Sequence, residues 1–235
     1  MGNMFDAVAI TDLLNSLERI SPGGLACRAC LADEIDTSTS AIDTEQIQGW
    51  ALARAREFIG GRRSARSALS QVGAGADHPL SRDAEGLPSW PFGFTGSISH
   101  SLGICSAVAG PTVLFPVLGL DLERVDRISE AASARVVHPL ESSFWSGRQL
   151  RASILFSLKE AFYKAQYPRW GLKANFSEMA LEVDLSMGSA RIVFLSERLS
   201  EAIKDVEISD FCFRFALVHS SVISICWVET EAVPN

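Results

Sequence analysis

The chain has 235 residues, 47% hydrophobic and 21% charged, with a net charge of −7. That is an ordinary globular balance, enough for one large domain or two small lobes. The acidic surplus excludes a general nucleic-acid binder, which needs a basic footprint, yet leaves room for a local basic pocket around a phosphorylated ligand.

Residues Met1–Asp6 carry no basic segment followed by an apolar stretch, so no signal peptide is read there. Asp6 stands where a myristoylation signal on Gly2 needs Ser or Thr. Apolar runs such as 221–228 are too short to span a bilayer. A cytoplasmic protein without an integral membrane segment is expected. Among five scattered cysteines, Cys27-x-x-Cys30 is the close pair, with no second pair or nearby His to complete a zinc site. Free thiols are the expectation.

Asp12–Ile20 reads as a short helix stopped by Ser21-Pro22-Gly23-Gly24, 25–32 as a strand and 33–44 as an exposed loop. From Thr44 to Gln71 a helical stripe runs through Leu52, Ala55, Ile59, Ala65 and Leu69. Gly60-Gly61 interrupts it, each Gly costing about 1 kcal/mol against Ala. Arg54, Arg56, Arg62, Arg63 and Arg66 lie on it, and a solvated basic face would explain all of them. Residues 73–91 form a loop that holds Arg82. Residues 93–101 read as a Gly- and Ser-rich turn, where small residues let backbone N–H groups approach an anion. His100 there can donate to a phosphate. Ile104–Ala109 reads as a strand, and a lobe boundary is placed near Pro116.

Gly119-Leu-Asp121-Leu-Glu123 reads as the end of a buried strand. Alternation puts Asp121 and Glu123 on one face, about 6–7 Å apart, and Leu118, Leu120 and Leu122 on the other. Adjacent carboxylates repel unless a cation or basic group sits between them, and hard oxygen ligands suit Mg²⁺. Two solvated acids at a strand end fit the pentapeptide as well. In the next helix Leu155, Leu158, Phe162 and Ala165 make the core stripe. Glu160 and Lys164, four apart on the opposite face, are either an ordinary ion pair or a third metal carboxylate and a phosphate cation. Residues 126–151 are irregular or helical. Pro168 and Gly171 follow the helix, then strands near 179–185 and 190–195, a short helix at 197–204, and a closing hairpin of two alternating strands, 211–219 and 222–229.

Gly119-x-Asp121-x-Glu123 followed by Lys159-Glu160-Ala161-x-x-Lys164 resembles the signature pair of the 4′-phosphopantetheinyl transferases, in their two-lobed surfactin-synthetase-activating or enterobactin-synthetase type. Gly96-Ser-Ile-Ser99-His100-Ser101 is similar to a third motif of that type, and Arg82 with Gly86-Leu-Pro88-Ser-Trp90-Pro91 to its upstream extension. The resemblance implies an α+β fold of two similar lobes related by a pseudo-twofold axis, residues 1–116 and 117–235, with cofactor and metal in the cleft between them. It implies transfer of the phosphopantetheine arm of coenzyme A to a serine of an apo acyl, peptidyl or aryl carrier protein, by a monomer (a pseudo-dimer) of the holo-carrier-synthase kind. Mg²⁺, with Mn²⁺ as substitute, would be held by Asp121, Glu123 and Glu160. Arg54, Arg62, Arg82, Ser99, His100, Asp121, Lys159 and Lys164 would face the cofactor, Arg82 at its 3′-phosphate. Lys159, on another side of the helix, would instead shield the rim or pair locally. Glu160, Lys164 and Asp121 would be catalytic, Glu160 taking the serine proton, and Arg148 with Arg151 would meet the acidic helix of the carrier. Rival readings are a Mg²⁺-dependent nucleotide phosphohydrolase, although no Walker loop is present, and a non-catalytic carrier-binding protein.

Overall fold

Two runs of alternating or apolar residues separated by turns give two antiparallel sheets, each covered by one long helix. The computed structural model describes residues 3–38, 47–75 and 78–230. The chain divides into two compact units, one ending at Leu114 and the other spanning Phe115–Glu231.

The first unit holds α1 (Asn3–Ile20), β1 (Ala26–Leu31), α2 (Leu52–Gln71), β2 (Phe94–Ser101) and β3 (Ile104–Pro111). The sheet order is β1-β3-β2, all antiparallel. α1 begins earlier than the Asp12 start read from sequence, and Leu13 and Leu17, one turn apart, are buried. Most of the 33–44 loop and the Thr44 start of the second helical pattern lie outside the described residues.

The gap in the apolar stripe at Gly60-Gly61 has a physical reason, and one expectation fails. Helix α2 runs unbroken from Leu52 to Gln71, with both glycines in its interior. A Cβ on Gly60 would lie 2.8 Å from Cys105 Sγ, and one on Gly61 2.6 Å from Ile98 Cγ2. The glycines let the helix lie directly on the sheet, and that packing outweighs their poor helix propensity. Residues 93–101 are not a turn. Their Ser-Ile-Ser-His alternation pairs as β2 with β3, and the turn falls at Leu102-Gly103 (φ 53° and 75°). Positive φ at both central residues is what a tight two-residue hairpin needs.

The second unit holds β4 (Val117–Arg124), α3 (Glu130–Val136), α4 (Ser142–Trp145), α5 (Gln149–Trp170), β5 (Met179–Asp184), β6 (Ser189–Leu195), α6 (Glu197–Ala202), β7 (Phe211–Val218) and β8 (Ser221–Val228). Its sheet order is β4-β8-β7-β6-β5, again antiparallel. α5 lies against β4 and β8, and Leu155, Leu158, Phe162 and Ala165 join one core with Phe211, Phe213 and Phe215. The helix continues through Pro168, which removes one N–H donor from the last turn. It stops at Gly171, whose φ of 64° and N–H bond to Tyr167 O (2.8 Å) make a left-handed cap. β8 buries all eight residues, so the expected alternation is absent, as in any strand covered on both faces. Among the described residues no helix is long and apolar enough to cross a membrane.

Candidate active site

The acidic corner of the second unit starts from a missing side chain. A Cβ on Gly119 would stand 2.0 Å from Ala161 O and 2.5 Å from Ala165 N. Strand and helix are therefore in backbone contact, and the next residues on that face, Asp121 and Glu123, emerge beside α5. Asp121 is 5% exposed. Lys164 Nζ donates to its Oδ1 at 2.7 Å. Lys164 thus pairs with Asp121 across 43 residues, whereas helical spacing had pointed to Glu160.

Burial pushes the Glu160 carboxyl above its ordinary range; the charge of Asp121 adds to this, Lys164 offsets part of it, and Glu123 contributes last. Glu123 accepts from Arg124 N at 2.7 Å and faces Arg127 Nε at 3.3 Å. The acids share one electrostatic corner. Among the described residues, however, no three His, Cys, Asp or Glu side chains stand together as a ready-made metal cage. The donor set still fits a hard cation: it is all carboxylate oxygen, and its mutual repulsion is what a bound cation would relieve. A cavity of about 300 Å³ opens beside Glu160, lined also by Phe162, Tyr163, Asn175, Phe176 and Met179.

Lys159 takes the local pairing read for it beside the cofactor contact. Its side chain is 2% exposed and its ammonium donates to Val136 O (2.8 Å), Glu141 Oε2 (2.9 Å) and Phe176 O (3.1 Å). A phosphate contact would have to compete with this buried pair. Burial lowers the Lys159 pKa and Glu141 opposes that. Glu141 also accepts from His138 N (2.7 Å) and Leu181 N (2.8 Å).

The first unit carries a basic corner around Trp50, just before α2. The guanidinium groups of Arg54 and Arg82 each lie 5.8 Å from the Trp50 ring centre. Arg54 Nη1 donates to His100 Nε2 at 2.6 Å, and His100 Nδ1 faces Glu57 Oε2 at 3.4 Å. Nε2 is therefore the acceptor and Nδ1 keeps a proton to donate. Two other expected contacts do not join this corner. Arg62 is 5% exposed, donates from Nε to Leu80 O at 3.0 Å and lies 3.5 Å from the Phe58 ring centre; it straps α2 to the following loop. Ser99 is buried, and strand alternation turns its side chain to the face opposite His100 and Ile98. Sequence reasoning missed Trp50, Glu57 and Glu141. Trp50 sits before the arginine-bearing helix, where an aromatic beside guanidinium groups was a usable signal. Glu57 and Glu141 look in sequence like any surface acid.

Comparison with known proteins agrees with these motifs. The model of the 4′-phosphopantetheinyl transferase N-terminal domain matches residues 43–110, and that of the 4′-phosphopantetheinyl transferase superfamily matches residues 117–223. The chain is 34% identical over 142 residues to the 4′-phosphopantetheinyl transferase Svp of Streptomyces mobaraensis, covering 58% of this chain and 57% of that protein. It is 28% identical over 177 residues to the 4′-phosphopantetheinyl transferase Npt of Nocardia iowensis, covering 74% and 79%. The holo-[acyl-carrier-protein] synthase structure from Neisseria meningitidis aligns with half of this chain and all of its own, at 21% identity and a TM-score of 0.41. The two family models together take in most of the sequence, one in each half, and the chain belongs to the 4′-phosphopantetheinyl transferase superfamily, in its two-domain, secondary-metabolite type.

Proposed function

We propose that this chain moves the 4′-phosphopantetheine arm of coenzyme A onto a serine hydroxyl of an apo carrier protein, releasing adenosine 3′,5′-bisphosphate. The observation that carries the reading is the Asp121–Lys164 contact at 2.7 Å beside a Glu160 whose pKa is raised. It supports Lys164 as the cation for phosphate and Glu160 as the proton acceptor.

The substrate is a dense anion, and the nucleophile is a neutral hydroxyl. Asp121, Glu123 and Glu160 would hold Mg²⁺, which when bound offsets charge on the pyrophosphate and on the leaving group. Lys164 binds the pyrophosphate and meets the charge that grows on the leaving side. Glu160 accepts the serine proton directly or through one water. Its side chain opens on the 300 Å³ cavity, whose mixed aromatic and polar wall suits a slender amide-bearing arm. Arg54 and Arg82, steadied by Trp50, grip the nucleotide phosphates in forks. His100 orients Arg54 and takes up a phosphate contact when that fork moves. Arg148 is exposed, and Arg151 is braced by Phe144 O; these two form the basic approach for an acidic carrier helix.

Intact mass of an apo carrier incubated with this protein, coenzyme A and Mg²⁺ tests the reading. A gain of about 340 Da that Asp121→Ala and chelation both abolish is the expected result. Phosphate release from coenzyme A with no change in carrier mass would replace transfer by hydrolysis. Glu160→Gln with turnover intact would remove the proton role from Glu160.

A further inference from the structure

The Cys27-x-x-Cys30 spacing names the wrong thiol pair. Three residues apart on a strand is an odd step, so the two side chains leave opposite faces of β1. Cys27 is 2% exposed and donates to Ser21 Oγ at 3.3 Å, and burial pushes its thiol up to about 11. Cys30 lies directly across from Cys105 in the β1–β3 register. Register partners on antiparallel strands have Cα atoms about 4.5 or 5.5 Å apart, and both values fall within the ~4.4–6.8 Å a disulfide spans. Both sulfurs point at α2: a Cβ on Gly60 would lie 3.3 Å from Cys30 Sγ and 2.8 Å from Cys105 Sγ. The Cys105 thiol donates to Glu57 O (3.5 Å) and the Cys30 thiol to Gly60 O (3.3 Å), both backbone carbonyls of α2.

We propose that Cys30 and Cys105 are a redox-active dithiol, a modification site that small disulfides close into a reversible intramolecular disulfide. The two sulfurs are unequal, as such chemistry requires. Cys30 is half-buried and Cys105 fully buried, so an oxidant meets Cys30 first. The neighbouring Cys105 thiol and the Ser64 hydroxyl, which donates to Cys30 Sγ at 3.4 Å, outweigh burial and hold Cys30 below the ordinary thiol range. The Cys30 sulfur beside it and burial hold Cys105 up as the resolving thiol. The Cys30 thiolate attacks R–S–S–R, forming Cys30–S–S–R and releasing RS⁻. Cys105 then attacks the Cys30 sulfur, giving Cys30–S–S–Cys105 and a second RS⁻. The two thiol protons end on the two released thiolates. Two protein thiols are oxidised and one small disulfide is reduced. The site lies under the basic corner, because Cys105 is also the register partner of His100 and sits 3.5 Å from Glu57 O. The neutral alternative is a pair of buried small apolar side chains.

The test is covalent and does not depend on the transferase reading. The full chain is incubated with glutathione disulfide, quenched in acid, and mapped by proteolysis and mass. The expected parent product is a Cys30–Cys105 cross-link lacking two hydrogens, reversed by dithiothreitol. Cys105→Ala should stall as a glutathione adduct on Cys30, while Cys30→Ala leaves Cys105 unmodified. Cys212, which is exposed, is the internal control. Glutathione on Cys212 with Cys30 and Cys105 still as thiols would overturn the proposal, and needs no variant to fold. A Cys105→Ala chain that folds but takes no adduct on Cys30 would overturn it too.

Discussion

Replacing Gly119 with Ala tests whether the strand–helix contact sets the acidic corner. The new Cβ lands 2.0 Å from Ala161 O and 2.5 Å from Ala165 N, both backbone atoms that no rotamer change can move. Ordinary contact distances are about 3.5 Å, so β4 and α5 must part by roughly 1.5 Å. Overpacking usually costs about 1–3 kcal/mol, and a backbone clash belongs at or above the upper end. At ~2–4 °C per kcal/mol for a chain of this size, the melting midpoint should fall by about 6–12 °C. The same displacement carries Asp121 away from Lys164, and a 1 Å misplacement of a reacting group costs on the order of 100-fold. Gly119→Ala should therefore lose about two orders of magnitude in kcat/KM for carrier modification, with its far-ultraviolet circular dichroism preserved. Gly61→Ala is the control. It meets one side-chain methyl, Ile98 Cγ2 at 2.6 Å, and no backbone, so its cost belongs at the lower end of about 1–3 kcal/mol and carrier turnover should be retained. Scanning calorimetry and carrier mass kinetics read both. A Gly119→Ala chain melting within about 2 °C of the parent, at undiminished turnover, would refute the reasoning.

Two further expectations follow from the same geometry. Arg54→Ala with Arg82→Ala should raise the KM for coenzyme A by at least about 100-fold and leave kcat nearly unchanged, because two charge-assisted bonds worth about 1.5–3 kcal/mol each are lost from ground-state binding; initial rates at varied coenzyme A check this. Glu178 is held down to about 2, chiefly by its hydrogen bond from Arg198. Its contribution is complete above the ordinary carboxylate value of 4.5 and drains away as pH falls from there toward 2. Arg198 is half exposed, so solvent screens the contribution and keeps it small. Arg198→Ala should remove the larger part of it, visible as a parent–variant difference in denaturation midpoint at pH 6 that closes by about pH 2.

The second unit was the more legible half because its signals are local. Alternation at Asp121 and Glu123, the apolar stripe from Leu155 to Ala165 and the run at 211–228 each report on their own neighbours. Even the motif glycine had a readable cause once placed, since only a residue without Cβ admits Ala161 O at 2.0 Å. What sequence could not show were contacts made across it. Lys164 sits one helical turn from Glu160, yet its donor reaches Asp121 from another element. Gly60-Gly61 reads as a costly gap in the apolar stripe until β1 and β3 supply Cys30 and Cys105 beneath it. Arg62 and Arg54 look alike on the helix stripe, but the Leu80 carbonyl draws one inside while the other stays at the surface with His100. In each case a long-range partner decides between two local readings of equal merit.

Lys159 is where that distinction can be measured, since a cofactor contact and a buried strut fail differently. A lysine facing phosphate would lose affinity when truncated and leave the fold intact. Here the ammonium satisfies Val136 O and Phe176 O as well as Glu141, and Glu141 in turn satisfies the N–H groups of His138 and Leu181. Removing either partner leaves a buried charge and unsatisfied backbone groups, at about 3–5 kcal/mol. Lys159→Met and Glu141→Gln should each destabilise by that amount in urea. The double variant should cost less than the two together by at least about 1.5 kcal/mol, because the second change removes the charge that the first stranded. The KM for coenzyme A of whatever Lys159→Met remains folded at low temperature should stay within about threefold of the parent. Additive losses in the cycle, or a stable Lys159→Met chain with coenzyme A affinity down tenfold, would return this lysine to the cofactor.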